Sequence, residues 1–158
     1  MRVGHGFDAH RLVEGRPFVL GGVTIPFERG PLGHSDGDAL THAICDALLG
    51  AAALGDLGGH FPDTDPQWKG ANSLTLLAAV HEQLVRHGWT IANIDSTVVV
   101  QAPKLAPHIA EMRDALAETL TLDIDKISVK AKTSEGMGYT GDGSGIAAYA
   151  VALLTSLS

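Results

Sequence analysis

The segment Asp95–Gln101 (DSTVVVQ) restricts the fold of this chain more than any other stretch. It is rich in β-branched residues and apolar on both faces, which is the pattern of a central, buried strand. A strand of this kind belongs in the middle of a sheet that other elements cover. With 158 residues the chain can bury one substantial core, so residues 1–158 are expected to form a single domain.

Further strand and helix patterns surround this segment. Strands are predicted over Arg2–His10 and Ile127–Lys132, and a hairpin turn at Gly21-Gly22 joins two short strands. The last segment, 146–157, fits a helix or a strand, and alternation of large with small residues favours the strand. Helices are predicted where apolar residues form one stripe, at 38–55, 72–88 and 107–120. The expected fold class is α+β, with a mixed four-stranded sheet packed by helices.

Composition excludes several classes of function. The formal net charge of −7 argues against a broad nucleic-acid interface and against a polybasic membrane contact. Cys45 is the only cysteine, so an intramolecular disulfide and a multi-cysteine metal site are both excluded. The N-terminal stretch MRVGHGFDAHRL lacks the apolar centre of a signal peptide, and we therefore expect a cytoplasmic protein. Few charges, few aromatics and 19 glycines suggest a surface buried against another subunit.

Three side chains are candidates for one metal site. Asp8 and His10 are two residues apart on a predicted strand, so both point to the same face. His42 lies on the first predicted helix and would complete a set of two imidazoles and one carboxylate, a common zinc arrangement with an open position. The alternatives are a polar strand end for the first pair and a partly buried helix histidine for His42. Asp38, four residues before His42, is better interpreted as a helix N-cap.

Two loops carry polar groups that could meet a substrate. The first, residues 56–71, contains Asp56, Asp63 and Asp65, whose carboxylates either form turns or accept hydrogen bonds from substrate hydroxyls. The second begins at Lys132-Thr-Ser-Glu135 and continues into a glycine-rich run at 136–145, which is either a phosphate cradle with a carboxylate for magnesium or a flexible hairpin loop. The nucleotide-binding patterns G-x-x-x-x-G-K-[ST] and G-x-G-x-x-G and the hydrolase pattern G-x-S-x-G are absent.

Together these motifs resemble a known family. GHGFDAHRL, HSDGDALTHAICDALLGAAALGDLGGHFPDTDP, QAPKLAPHI and KAKTSEGMGYTG, in this order, resemble the 2-C-methyl-D-erythritol 2,4-cyclodiphosphate synthase family over essentially the whole chain. The resemblance implies a phosphorus–oxygen lyase of the non-mevalonate isoprenoid route. It implies a homotrimer with an active site at each subunit boundary. The implied reaction starts from 4-diphosphocytidyl-2-C-methyl-D-erythritol 2-phosphate, whose 2-phosphate attacks the β-phosphate, closes the cyclic diphosphate and expels CMP.

The resemblance also implies roles for individual residues. Asp8, His10 and His42 would hold Zn²⁺, and Glu135 a second divalent cation, Mg²⁺ or Mn²⁺. His34, Thr133 and Glu135 would be the catalytic groups, and Val100–Ala106 would bind cytosine from the neighbouring subunit. The implied substrate-binding positions are Asp8, His10, His34, Ser35, Asp56, Leu57, Gly58, Phe61, Pro62, Asp63, Thr64, Asp65, Val100, Gln101, Ala102, Pro103, Lys104, Leu105, Ala106, Lys132, Thr133, Ser134, Glu135, Tyr139 and Asp142.

The chain departs from the family pattern near its glycine-rich run. Where family members commonly have Gly-Phe-Thr-Gly-Arg-Gly, this sequence has Gly138-Tyr-Thr-Gly-Asp-Gly143. Asp142 therefore replaces a cation by an anion, which argues against binding of isoprenoid diphosphates in a central trimer cavity.

Two rival functions use the same residues. A zinc-dependent phosphohydrolase would use the three metal ligands and release inorganic phosphate. A non-catalytic trimer would bind cytidine nucleotides without turning over a diphosphate.

Overall fold

The computed structural model describes residues 1–158, which form an α+β fold around a five-stranded mixed sheet. The strand order is β4-β1-β7-β5-β6, with antiparallel neighbours except for the parallel pair β5 and β6. A separate hairpin contains β2 and β3. The strands are β1 (Arg2–Glu14), β2 (Phe18–Leu20), β3 (Val23–Ile25), β4 (Arg29–Pro31), β5 (Trp89–Val99), β6 (Ile127–Lys132) and β7 (Gly145–Ser156).

The predicted four-stranded sheet was wrong by one strand. The fifth strand is β4, whose three residues pair with Leu12–Glu14 at the end of β1. The pairing also makes β1 longer than the predicted Arg2–His10. A segment of Arg, Gly and Pro has no alternating pattern, so only its neighbour in space makes it a strand. The C-terminal segment is a strand, β7, as favoured from its alternation.

The prediction of a central strand is confirmed, but both of its ends were wrong. β5 lies between β7 and β6, begins at Trp89, six residues before the predicted start, and ends at Val99, two residues before the predicted end at Gln101. One face, which includes Ser96 and Val98, is buried. The opposite face, which includes Thr97 and Val99, is only half-buried in the single chain. The apolar character of that second face is therefore not explained by packing within one subunit.

Three longer helices cover one face of the sheet, and all three were predicted. The fully buried core lies between them and the even-numbered residues of β7, such as Ala148, Ala150 and Ala152. Two four-residue helices lie in the segments predicted as loops, which corrects that part of the prediction. No helix combines the length and apolar character needed to cross a membrane. The helices are α1 (Ala39–Ala51), α2 (Leu57–His60), α3 (Ser73–Arg86), α4 (Ile109–Leu120) and α5 (Gly138–Gly141).

The hairpin turn follows directly from its two glycines. Gly21 and Gly22 have φ values of 57° and 74°, the positive φ that a tight turn between twisted strands requires at both central positions. Their amides donate to the Asp38 carboxylate, at 2.9 and 2.8 Å. The same carboxylate caps α1 through the Thr41 amide. The interpretation of Asp38 as an N-cap is therefore confirmed, and the residue also attaches the hairpin to the helix.

Helix α1 approaches β1 so closely that only glycine fits between them. A Cβ atom on Gly4 would lie 1.9 Å from the Ala47 carbonyl oxygen, and one on Gly6 would lie 1.8 Å from that of Ala43. Gly4 and Gly6 lie on the same face of β1 as Asp8, because residues two apart on a strand share a face. The glycines therefore determine how near the helix comes to the polar end of this strand.

The other face of the sheet carries apolar side chains that no element of the chain covers. Val3, Phe7, Tyr149 and Val151 are exposed there, and the rings of Phe7 and Tyr149 are in contact. These residues alternate with buried ones along β1 and β7, so the exposed face is a continuous strip across two paired strands. Contiguous exposed apolar patches mark interaction surfaces in monomeric folds.

Candidate active site

The three predicted metal ligands lie together, as expected. Asp8 and His10 project from β1 toward α1, and His42 projects from the first turns of α1. One ligand atom from each side chain lies within 4.8 Å of the others. His42 is buried, whereas Asp8 and His10 are partly exposed to a cleft, so the site is open on one side.

Hydrogen bonds orient both imidazoles. The Leu32 carbonyl can only accept, so Nδ1 of His10 donates to it, at 2.9 Å, and Nε2 faces the Asp8 carboxylate. His42 has the opposite orientation, with Nδ1 3.2 Å from Oδ2 of Asp8 and Nε2 3.2 Å from Oγ of Ser35. Partners on the second ring nitrogen are what hold metal-ligating histidines in place. Ser35 and the Leu32 carbonyl therefore belong to the site.

The arrangement fits a divalent cation. Nε2 of His10 and Nδ1 of His42 lie 2.7 and 3.2 Å from the same carboxylate oxygen, Oδ2 of Asp8. Ligands at zinc distances are separated by about 3.3 Å along a tetrahedral edge, so small adjustments suffice to bring the three atoms onto one ion. Two imidazole nitrogens and one carboxylate oxygen form a donor set that suits zinc and similar ions.

The charges of the ligands are coupled. Burial favours the neutral acid of Asp8, but hydrogen bonds from His10 and His42 outweigh it, and its pKa lies below the ordinary value. Burial disfavours the imidazolium of His10, but the bond to Asp8 and its negative charge outweigh burial and raise the pKa of His10. When His10 is protonated, the proton on Nε2 that bonds to Asp8 occupies the position where a cation would bind, and a cation must displace it.

A cleft of about 390 Å³ opens beside the three ligands. Nine of the predicted site residues line it, and these are Asp8, His10, His34, Ser35, His42, Leu57, Gly58, Phe61 and Asp63. Five lining residues were missed from the sequence, and these are Leu32, Gly33, Asp46, Trp68 and Leu76. Asp46 had a usable signal, because it follows His42 by four residues and so lies on the same face of a helix.

The acidic loop, residues 56–71, forms one wall of the cleft. Two of its carboxylates stabilise turns, which was one of the two roles predicted for them. Asp56 accepts from the Gly59 amide at the start of α2, and Asp65 accepts from the Gln67 amide. The Asp63 carboxylate has no hydrogen bond within the chain and lines the cleft. His34 donates from Nε2 to the Asp65 carbonyl, at 3.2 Å, which ties the loop to the ligand-bearing part of the chain. The neighbouring predicted residues Pro62 and Thr64 are exposed.

The second predicted loop lies elsewhere. None of residues 100–106 or 132–135 lines the cleft. The cross-strand register places Ala9, Ala147, Val99 and Lys132 in one row across β1, β7, β5 and β6. Residues 132–135 therefore lie at the same end of the sheet as the metal ligands, but three strand spacings away, about 14 Å, and residues 100–106 follow β5, two spacings away, about 10 Å. The exposed members are Gln101, Ala102, Lys104, Ala106, Lys132, Thr133 and Glu135, whereas Val100 and Leu105 are buried and Pro103 and Ser134 are partly buried.

Glu135 has an unusual backbone. Its φ of 55° lies in the left-handed region, and its amide approaches Oγ1 of Thr133 at 3.4 Å. Residues without a Cβ adopt this conformation freely, whereas a glutamate pays a free-energy penalty, and such positions concentrate at functional sites. The exposed side chain of Glu135 therefore leaves the chain at a strained backbone position just beyond the end of β6.

Tyr139 and Asp142 lie farther along the second loop, in the glycine-rich run, which leads back to β1, where Gly145 pairs with Arg11. Tyr139 lines a second, shallower cavity of about 260 Å³ with Arg11 and Ser144. Asp142 is exposed, and a hydrogen bond from Ser144 lowers the pKa of its carboxyl. The negative charge at this position is therefore maintained at neutral pH.

Comparisons with known proteins agree with this geometry. The YgbB family model matches residues 1–155. A relative from Paraburkholderia phymatum, named 2-C-methyl-D-erythritol 2,4-cyclodiphosphate synthase, is 62% identical over 98% of this chain and 97% of its own length. A solved structure described as that synthase in a CDP-bound form is 43% identical, with a TM-score of 0.90 over 98% of this chain and all of the other.

A further structural relative shows the same domain inside a longer protein. The bifunctional IspDF of Campylobacter jejuni is 42% identical with a TM-score of 0.95, and the match covers 98% of this chain but only 42% of that one. The family match and the full-length relatives are consistent with the fold and with the cluster of Asp8, His10 and His42. The chain belongs to the YgbB family, whose members compared above are named 2-C-methyl-D-erythritol 2,4-cyclodiphosphate synthases.

Proposed function

We propose that this chain is a phosphorus–oxygen lyase of isoprenoid precursor synthesis. It converts 4-diphosphocytidyl-2-C-methyl-D-erythritol 2-phosphate to 2-C-methyl-D-erythritol 2,4-cyclodiphosphate and CMP. The observation that carries the proposal is the cluster of Asp8, His10 and His42 at the wall of an open cleft, in a chain of this family. The CDP-bound relative supports a cytidine nucleotide as part of the substrate.

The chemistry needs positioning rather than a protein nucleophile. An oxygen of the 2-phosphate forms a new bond to the β-phosphorus, and the bond from that phosphorus to the bridging α,β-oxygen breaks, so that the electron pair leaves on CMP. Two divalent ions, when bound, supply the positive charge that such a transfer between anionic groups requires. This accounts for the absence of a nucleophile motif from the chain, since the attacking group belongs to the substrate.

The residues of the cleft have separate roles in the proposal. Asp8, His10 and His42 would hold Zn²⁺, and Glu135 would hold Mg²⁺ or Mn²⁺. His34 and Ser35 orient the phosphates from the wall of the cleft, and Thr133 does so from the second loop. Asp56 and Gly58, with the loop from Phe61 to Asp65, contact the hydroxyls and the methyl group of the erythritol. The backbone of Val100–Ala106 binds the cytosine, and Lys132, Ser134, Tyr139 and Asp142 border the site.

The two parts of the site are completed by different subunits in a homotrimer. Within one chain the end of β6, which leads to Glu135, lies about 14 Å across the sheet from the metal ligands, which is too far for both to hold one diphosphate. The exposed apolar strip of Val3, Phe7, Tyr149 and Val151 provides a surface that a second and a third copy would cover. The same assembly would cover the half-buried face of β5.

The reaction is tested by incubating the protein with the diphosphocytidyl substrate, Zn²⁺ and Mg²⁺, followed by phosphorus NMR. The cyclic diphosphate together with CMP is the expected result. Release of inorganic phosphate would indicate a zinc-dependent phosphohydrolase instead. An unchanged substrate, with tight binding of cytidine nucleotides, would indicate a non-catalytic binding module.

The division of the site between subunits has its own test. Asp8→Ala and Glu135→Gln are each expected to lose nearly all of the wild-type activity, because each impairs one half of every site. Mixed and reassembled trimers should recover about one quarter of the wild-type activity, because a random mixture pairs an intact metal-ligand set with an intact Glu135 at that frequency. If the mixture stays inactive while native mass spectrometry, which resolves the mass difference between the two variants, shows mixed trimers, both halves of a site come from one chain.

A further inference from the structure

Asp46 is the acidic side chain in the cleft that the proposed mechanism does not use. It lies on α1 one turn after His42, so it projects toward the same cleft. Its Oδ1 accepts a hydrogen bond from the Leu57 amide at 2.7 Å, the short distance typical of a bond to an ionised acceptor. Its Oδ2 accepts no hydrogen bond from the protein.

This bond joins a rigid helix to a weakly anchored one. Eleven residues of α1 are buried, whereas none of the four residues of α2 is, and Leu57 is only partly covered. The amides at the start of a helix have no partner within it. Asp56 accepts the hydrogen bond of the Gly59 amide from within the same exposed segment, and Asp46 accepts that of the Leu57 amide from α1.

The position is costly for a carboxylate, which argues for a specific role. Burial and the nearby charges of Asp56 and Asp8 favour the neutral acid and raise the pKa of Asp46, although the bond from Leu57 opposes them. A side chain selected for stability alone at a partly buried position beside two other acids would be apolar and would need no hydrogen-bond partner. What the carboxylate provides is an acceptor aimed at the first amide of α2.

We propose that Asp46 is a positioning residue that anchors the segment Asp56–Gly58 to α1, at the distance from the metal ligands at which this segment meets the substrate hydroxyls. This inference rests on the proposed function for the identity of the substrate. The anchoring itself is a property of the chain without substrate.

The test compares Asp46→Ala with Asp46→Asn, which keeps an acceptor oxygen in the same place. Loss of one charge-assisted bond is worth about tenfold, so the alanine variant should raise KM about tenfold with kcat within about threefold. Hydrogen exchange of the Leu57 amide should accelerate about tenfold in the free protein. The asparagine variant should stay within about threefold of the wild type in both, because a neutral acceptor still makes the bond.

Controls separate anchoring from general effects. Asp114→Ala removes the same charge from an exposed position of α4 and should leave KM, amide exchange and zinc content unchanged. Zinc content, measured by plasma mass spectrometry, should be unchanged in both Asp46 variants. A lower melting temperature without a change in KM or exchange would overturn the proposal, because it would show a structural role only.

Two further outcomes are also decisive. If the asparagine variant is impaired as much as the alanine variant, the charge and not the acceptor matters, and the anchoring role is wrong. If the wild type does not turn over the proposed substrate, the proposed function fails. The exchange of the Leu57 amide would still decide whether Asp46 anchors α2.

Discussion

Replacement of Asp38 should cost more stability than replacement of any other capping residue in the chain. Its buried carboxylate accepts five hydrogen bonds. The donors are the amides of Gly21, Gly22 and Thr41 and the hydroxyls of Thr41 and Ser73. The residue thereby joins the hairpin, the start of α1 and the start of α3. Asp38→Ala would leave three backbone amides without their partner in the core.

The magnitude follows from these bonds. Loss of an N-cap costs about 1 kcal/mol, and each buried amide left without an acceptor costs about 1–3 kcal/mol. With the two hairpin amides counted in addition to the cap, Asp38→Ala should lower the free energy of unfolding by about 3–7 kcal/mol. That is a large share of the free energy of unfolding of an ordinary domain, which is about 5–15 kcal/mol. Asp38→Asn should lose about half as much, because its amide group faces the Gly22 donor.

The assay is urea unfolding followed by far-ultraviolet circular dichroism, at one protein concentration because subunit association adds to stability. Asn72→Ala is the matched control, since Asn72 caps α3 from an exposed position through a single bond to the Leu74 amide. The control should lose about 1 kcal/mol. If Asp38→Ala loses no more than this control, the network contributes nothing beyond an ordinary cap and the reasoning is refuted.

Three other predictions concern the site. Gly6→Ala should lower both the melting temperature and the zinc affinity, because its Cβ would lie 1.8 Å from the Ala43 carbonyl oxygen. The control Gly50→Ala, whose Cβ would have no neighbour nearer than 3.9 Å, should change neither quantity in thermal scans and zinc titrations. The zinc affinity should reach its full value above the raised pKa of His10 and fall as the pH drops through that pKa, because a proton then competes for Nε2. A constant affinity by calorimetry across this pH range would show that no proton competes with zinc at His10. Glu135→Gln should lower kcat by on the order of 100-fold, with zinc content and melting temperature almost unchanged, and full activity at ordinary Mg²⁺ levels would remove Glu135 from the second metal site.

Local patterns were sufficient for most of the elements. The alternation in 146–157 encodes a period of two residues, whereas the β-branched run at Asp95–Gln101 is apolar on both faces, and strands β7 and β5 cover most of these two segments. Gly21-Gly22 predicted a hairpin because both residues must have positive φ there. β4 was missed because its three residues carry no period, and hydrogen bonds from β1 alone make it a strand.

The candidate site, too, was predicted only in part from local sequence patterns. Strand parity placed Asp8 and His10 on one face, and the structure confirms that pairing with His42. The residue types alone did not determine that His42 would be the third partner among eight histidines. That depended on how closely α1 approaches β1, which Gly4 and Gly6 allow.

The sequence by itself therefore determined the α+β class, the three long helices, the hairpin and the residue types able to bind a metal, because these follow from periodicity and from the chemistry of short motifs. Only the tertiary structure decided the fifth strand, the hydrogen bond from the Leu57 amide to Asp46 and the distance of about 14 Å between the metal ligands and the end of β6. These features depend on which strands become neighbours. Pairing between distant segments reflects the packing free energy of the whole core, and no local pattern in the chain contains it.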